Sequence, residues 1–376
     1  AWTGDVESTW EGLRTTLRAL LGLSLSGVYF VGSDIGGFSG NPSPELYLRW
    51  FQMAALTPFF RLHAARWTKR REPWRFGEEV LEGVRRAMAL RESLLPYLYT
   101  LAHRASREGK PLLRPLFLEG GPYTEEAFLL GEALLVAPVL EEGARAKEVP
   151  LPKGGWYPWG EDRALQGPTW ARLPAPLDRI PLLVRAGTVL PLLEEGGLAL
   201  HLYPGAEGAE GRLYWDEGEG EGPYRLDRFR LLPAEGGFRL LWQGKGELPW
   251  PWARVRLRLF GKRLLRAHVE GEAHAAEEGG VLLGKALQDG EAPVQLPPHP
   301  VPQGEEEAEA GGGVRHPLGV AEEGLHFAPF QEGPSRPLQG PEEEPAPVAP
   351  GGLQGLFPGA EGEGGLEEPP GRLLGR

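Results

Sequence analysis

The 376-residue chain contains no cysteine and only two methionines. Without cysteine there can be no disulfide, no thiolate metal site and no cysteine nucleophile. Zinc would have to rely on histidine and carboxylate. The eight histidines, at 63, 103, 201, 268, 274, 299, 316 and 326, show no H-E-x-x-H or similar ligand spacing, so neither a metal nor another cofactor is expected. A basic excess is also missing. Lys and Arg total 40 against 52 Asp and Glu, a net charge of −12, which leaves no footprint for nucleic acid or an anionic membrane surface. No run approaches the roughly 18 consecutive apolar residues of a membrane-spanning helix. The first residues lack both Met and the regions of a signal peptide. The expected setting is soluble and cytoplasmic, although a missing N-terminus would take any targeting signal with it.

Aspartate is scarce as well, with seven residues against forty-five glutamates. What the chain does have is length enough for two or three domains and a change of grammar along its course. Residues 7–23 carry Trp10, Leu13, Leu17, Leu20 and Leu21 at helical spacing, with Ser8 or Thr9 available as a cap. SGVYFVGSD at 26–34 predicts a buried strand, PELYLRWFQMAA at 44–55 a helix opening on Pro44, and TPFFRLH at 57–63 another strand. A longer helix is predicted over 78–108, kinked at Pro96. This is α/β grammar with a parallel sheet. Past Gly109, short apolar segments at 133–140, 147–152, 181–193, 198–204, 211–218 and 253–261, separated by Gly, Pro and acidic turns, predict β-sandwich modules. A boundary is expected near Gly196. From 271 to 376, 38 of the 106 residues are Gly or Pro and glutamate runs are frequent, so this stretch is expected to be a disordered tail without chemistry.

In a parallel α/β sheet or barrel, chemistry sits at the C-terminal ends of the strands. Asp5 lies in a loop before the first helix, Asp34 ends the strand at 26–34, and Arg61 and His63 end the strand at 57–63. Trp2 and Gly4 flank the first acid; Gly36, Gly37 and Phe38 follow the second. Acids among aromatics suit a carbohydrate site. The plainer readings stand beside it: Asp5 as a favourable charge at a helix N-terminus, Asp34 as an Asx turn, His63 and the aromatics as core.

Nine segments then recur in a familiar order: WTGD at 2–5, GSDIGGF at 32–38, ELYLRWFQMAALTPFFRLH at 45–63, EPW at 72–74, LLPYLYTL at 94–101, RPL at 114–116, FLLGEALLVAPVL at 128–140, LPKGGWY at 151–157 and IPLLVRAGTVLP at 180–191. Together they resemble glycoside hydrolase family 31, the α-glucosidases and α-xylosidases. The resemblance implies the C-terminal portion of a (β/α)8 TIM barrel over 1–108, a proximal β-sandwich over 109–195 and a distal β domain over 196–270. Carried over residue by residue, Asp5 takes the place of the general acid/base. Asp34, Arg61 and His63 match residues that shape the subsite for the non-reducing sugar, with Trp2 and Phe38 as walls. One departure is Val6, where the family often has Asn. The larger one is that no W-x-D-M-N-E type motif, the source of the family's nucleophile, occurs anywhere in the sequence. A complete barrel takes about 250 residues, so the expectation is a chain that begins in mid-domain and holds half of a catalytic pair. The implied activity is retaining hydrolysis of an α-linked oligosaccharide or glucoside. A non-catalytic remnant, a carbohydrate-binding β-sandwich protein and an α-xylosidase remain open beside it.

Overall fold

The structure is a computed structural model. It describes residues 1–261 apart from 195, 196, 235 and 236, together with the backbone of short strand segments at 263–264, 266–269, 272–275, 281–283, 294–296 and 298–299. Among the described residues no helix is long and apolar enough to cross a membrane.

The N-terminal part alternates helix and parallel strand. Helix α1 (Trp10–Leu25) opens on Thr9, whose hydroxyl accepts from the Gly12 N–H at 2.9 Å, and buries Leu13, Leu17, Leu20 and Leu21 in the core. Strand β1 (Gly32–Asp34) and strand β2 (Phe59–Arg61) pair in parallel, with Gly32 opposite Phe59 and Asp34 opposite Arg61. Helix α2 (Pro44–Ala54) crosses between them, capped by the Ser43 hydroxyl, with Pro44 in its first turn where no N–H is needed. Trp2 bridges Gly32 in parallel on the other side of β1. Three neighbouring parallel segments with helical crossovers are the expected barrel piece.

Both strands are shorter than their apolar runs suggest. Only three residues of each find a partner in the register, and Phe30 is 47% exposed. The long helix is also two: α3 (Glu78–Ser93) and α4 (Leu95–Glu108) meet at Leu94. Pro96 lacks the N–H and its ring excludes the carbonyl four residues back, so the chain restarts rather than bends. Gly109, with φ +64°, ends α4 in the left-handed conformation that glycine adopts most cheaply.

The remainder is β. Strands β3 (Leu113–Arg114), β4 (Phe128–Leu130), β5 (Leu134–Val136), β6 (Ala146–Pro158), β7 (Leu165–Pro174) and β8 (Leu182–Arg185) form one sheet in the order β3-β4-β5-β8-β6-β7. Strands β9 (Thr188–Glu194), β10 (Gly197–Tyr203), β11 (Ala209–Asp216), β12 (Tyr224–Ala234), β13 (Gly237–Gly246) and β14 (Val255–Leu259) belong to a second. Glu194 and Gly197 are cross-strand partners. The change of sheet therefore falls at Ala186-Gly187, not near Gly196, because β9 and β10 form a hairpin. The expectation of disorder from 271 is corrected for four segments. Glu272–Ala275, Val281–Leu283 and Val294–Leu296 are strands of the second sheet, and Pro298–His299 pairs with Arg263–Leu264. Open backbone edges, such as that of β14, pair with a chain of almost any composition. The rest of that expectation lies outside the described residues.

Two buried polar groups stand out in the packing. Arg49 of α2 is 1% exposed. Its guanidinium donates to the carbonyls of Ala144 (3.2 Å), Ala175 (2.8 Å), Pro176 (2.9 Å) and Arg179 (3.2 Å), joining the barrel helix to the loops of the first sheet. His201 of β10 is buried, its Nε2 2.7 Å from Glu194. Burial pushes its imidazole below the usual range, and Glu194 only partly offsets this. A base depressed in the folded state binds its proton more readily when unfolded, so stability is lost as pH falls below about 6.5. The thermal midpoint of the protein is expected to drop between about pH 6.5 and pH 5, and to drop less in His201→Gln. Equal slopes would show that His201 does not carry the effect.

Candidate active site

The site is built where the three parallel segments end. The Thr3 N–H donates to the Gly32 carbonyl at 3.1 Å and the Gly32 N–H to the Ala1 carbonyl at 3.3 Å, which fixes Trp2 beside β1. Glycine at 32 is required by closeness: a Cβ there would lie 2.1 Å from the Phe59 carbonyl oxygen. Beneath the site, the Trp50 indole donates to the Ser33 hydroxyl at 3.1 Å. Arg91 holds β2 from below through the carbonyls of Ala55, Thr57 and Pro58.

Five of the six residues singled out from sequence are linked by direct contacts. Asp34 is 2% exposed, and its Oδ1 accepts from Arg61 Nε at 2.6 Å. The Arg61 guanidinium lies over the Trp2 ring, 5.0 Å from its centroid, so Trp2, Asp34 and Arg61 form one unit. The Phe38 and His63 rings lie 5.7 Å apart, and the Phe38 carbonyl accepts from the Ala65 N–H at 2.8 Å. Asp34 Oδ2 is buried without a hydrogen-bond partner among the described residues. A buried carboxylate oxygen left unpaired is costly, so this end of the strands presents an acceptor waiting for a donor.

Asp5 stands apart. It is exposed and its side chain makes no hydrogen bond or ion pair among the described residues. Its loop is nevertheless fixed. The Val6 carbonyl accepts from the N–H groups of Phe38 (2.7 Å) and Ser39 (3.2 Å), and the Ser8 N–H donates to Ser39 O at 2.8 Å. Gly37, at φ +85°, allows this approach, since a Cβ there would lie 2.7 Å from Ser8 Cα. The departure at Val6 is thereby explained locally: the pinning uses its main chain, and its side chain packs on the core.

One residue that sequence reasoning passed over organises these loops. Arg71 is 6% exposed and donates to Ser8 Oγ (3.1 Å), Gly37 O (3.3 Å) and Gly40 O (2.8 Å), clamping the loop that carries Asp5 to the loop after Asp34. Burial holds its guanidinium below the usual range. In turn, the Tyr47 hydroxyl donates to the Arg71 carbonyl at 2.7 Å. The run Lys69-Arg70-Arg71-Glu72 reads as a solvated charge cluster; its adjacency to the EPW segment was the only available signal. Among the described residues no cluster of His, Asp and Glu has the grouping to hold a metal ion.

Comparison with known proteins bears on the same stretch. Residues 1–101 match the glycosyl hydrolases family 31 TIM-barrel domain, and residues 109–190 the glycosyl hydrolase family 31 C-terminal domain. A probable glucan 1,3-alpha-glucosidase of Arabidopsis thaliana is 42% identical over 237 residues, covering 58% of this chain and 26% of that protein. Neutral alpha-glucosidase C of Homo sapiens is 40% identical over 235 residues, with the same coverage of 58% and 26%. The solved glucosidase II alpha subunit in an alpha3-Glc2-bound form superposes with a TM-score of 0.67 at 27% identity, covering 79% of this chain and 38% of that one. The chain thus spans about a quarter of the length of the curated relatives it matches. With its barrel strands, its β domains and its nine ordered segments all in agreement, residues 1–101 and 109–190 of the chain match the TIM-barrel and C-terminal domains of glycosyl hydrolase family 31.

Proposed function

We propose that this chain carries the acid/base half of a retaining α-glucosidase site. The observation that supports the reading best is the union of Trp2, Asp34 and Arg61 at the ends of three adjacent parallel segments, with the exposed Asp5 on a loop pinned beside them. In this reading Asp5 donates its proton to the departing glycosidic oxygen. A second carboxylate attacks the anomeric carbon, and the Asp5 carboxylate then takes a proton from the water that releases the sugar. Asp34 and His63 accept and donate hydrogen bonds to hydroxyls of the terminal sugar; the unpaired Asp34 Oδ2 is the acceptor. Trp2 and Phe38 form the walls. The names of the curated relatives favour glucose at that position.

Retention requires the second carboxylate about 5–5.5 Å from the first. The sequence has no W-x-D-M-N-E type motif, so we assign the nucleophile to polypeptide outside these 376 residues. The same observation favours a second reading for the chain in isolation, a non-catalytic sugar-binding protein. The test is product stereochemistry. Enzyme holding these residues in a complete barrel is expected to release α-glucose first from p-nitrophenyl α-glucoside, followed by proton NMR before mutarotation. β-Glucose as the first product would overturn the retaining reading. Turnover by the 376 residues alone would overturn the placement of the nucleophile.

A further inference from the structure

A cleft of about 610 Å³ opens between α4, the end of β8 and the strands β9, β11, β12 and β13. Its lining carries six cations, Arg104, Lys110, Arg185, Arg212, Arg228 and Arg230, against two carboxylates, Glu132 and Glu210. On a chain whose net charge is −12, such a local excess of positive charge calls for a cause.

Most of these cations are engaged. Arg104 meets Glu132 bidentately at 2.7 and 2.9 Å. Arg230 pairs with Glu210 at 3.2 Å, and Arg212 with Glu108 at 3.1 Å. Arg185 donates to the Glu132 carbonyl and lies over the Trp156 ring. Arg228 is different. It is exposed and its side chain makes no hydrogen bond or ion pair among the described residues. The register sets it directly opposite Arg212 on one side and Gln243 on the other. Like charges facing each other across an antiparallel pair are destabilising, and folding alone gives no reason to keep them. A bound anion does. Guanidinium forks match the oxygens of a phosphoryl group, and the volume suits a small ligand. Sugar stacking fits less well, since the aromatic side chains in the lining, Tyr97 and Phe229, are buried.

We propose that this cleft binds a phosphoryl dianion, free or carried on a small sugar, across the row Arg212, Arg228 and Gln243, away from the sugar site proposed above. The experiment is thermal denaturation of the full chain at constant ionic strength, with chloride replaced by inorganic phosphate and, in a second arm, by glucose 6-phosphate. About 10 mM phosphate is expected to raise the midpoint by roughly 2–4 °C over chloride. A larger rise with glucose 6-phosphate identifies a phosphorylated sugar as the ligand; equal rises identify the phosphoryl group alone. Arg228→Gln should lose the rise while keeping or raising the phosphate-free midpoint, because the Arg212–Arg228 repulsion goes with it. Gln243→Glu, which sets a carboxylate beside Arg228, should lose the rise as well. No rise in the unaltered chain, or an undiminished rise in both variants, overturns the proposal.

Discussion

Asp5→Asn is expected to lower turnover of an unactivated α-glucoside by about 10²–10⁴-fold in the enzyme that holds it in a complete barrel, the range set by loss of a positioned general acid. The amide fills the same space and cannot donate a proton of useful acidity. Asp5 is exposed and its loop is pinned by the main chain of Val6 and by Arg71, not by its own carboxylate. The fold should therefore survive, and the thermal midpoint should match that of the parent. The deciding measurement compares leaving groups. α-Glucosyl fluoride departs without protonation, so formation of the glycosyl-enzyme from it should be nearly unimpaired in the variant, while a disaccharide should be almost inert. Equal losses on both substrates would remove Asp5 from the role of proton donor, and full activity on the disaccharide would remove it from the chemistry.

The sequence carried the types and order of the barrel elements because each declared itself locally. Thr9 could be named as a cap from its place before an apolar period and its hydroxyl accepts the expected N–H, while the second helix opens on Pro44 as read, with Ser43 before it supplying the cap. The lengths of β1 and β2 were not legible. An apolar run records burial, whereas a strand also needs a neighbour of equal length, and each of these finds one for only three residues. The division of the β part shows the same limit. Gly196 sits between two apolar segments and looks like a boundary, yet Glu194 and Gly197 are partners in one sheet. Sheet membership is a non-local property that spacing does not encode.

The site divides in a similar way. Asp34, Arg61 and His63 were legible as strand-end residues and Trp2 and Phe38 as aromatics flanking the two acids, and the Asp34–Arg61 contact follows from the parallel register. Arg71 was not, because a charged run in a loop has no periodicity to betray which member turns inward. Its role follows from geometry: three acceptors on two loops converge on its single Nη2. The clamp also couples chemistry to fold, since it ties the proposed acid to the loop behind Asp34.

Arg49→Met is expected to destabilise the protein by roughly 3–5 kcal/mol, the cost of breaking a buried charged network by removing one partner. Methionine keeps the apolar stem but leaves the carbonyls of Ala144, Ala175, Pro176 and Arg179 without this donor. Each carbonyl stranded away from water costs about 1–3 kcal/mol. Part of that is offset, because burial already disfavours the cation: the guanidinium is pushed down to about 10, with Glu45 at 4.0 Å a weak counterweight. Four carbonyls outweigh one desolvated charge, so the sign is set by the acceptors. At about 2–4 °C per kcal/mol for a domain of this size, the thermal midpoint should fall by roughly 6–20 °C, read by circular dichroism. Arg49→Lys should fall in between, since an ammonium offers three donors from a single point. A midpoint within about 2 °C of the parent for Arg49→Met would show that the loops of the first sheet hold their place without the arginine. Helix α2, which connects Asp34 to Arg61, would then owe its position to the apolar core and to its other polar contacts, those of Tyr47, Trp50 and Gln52.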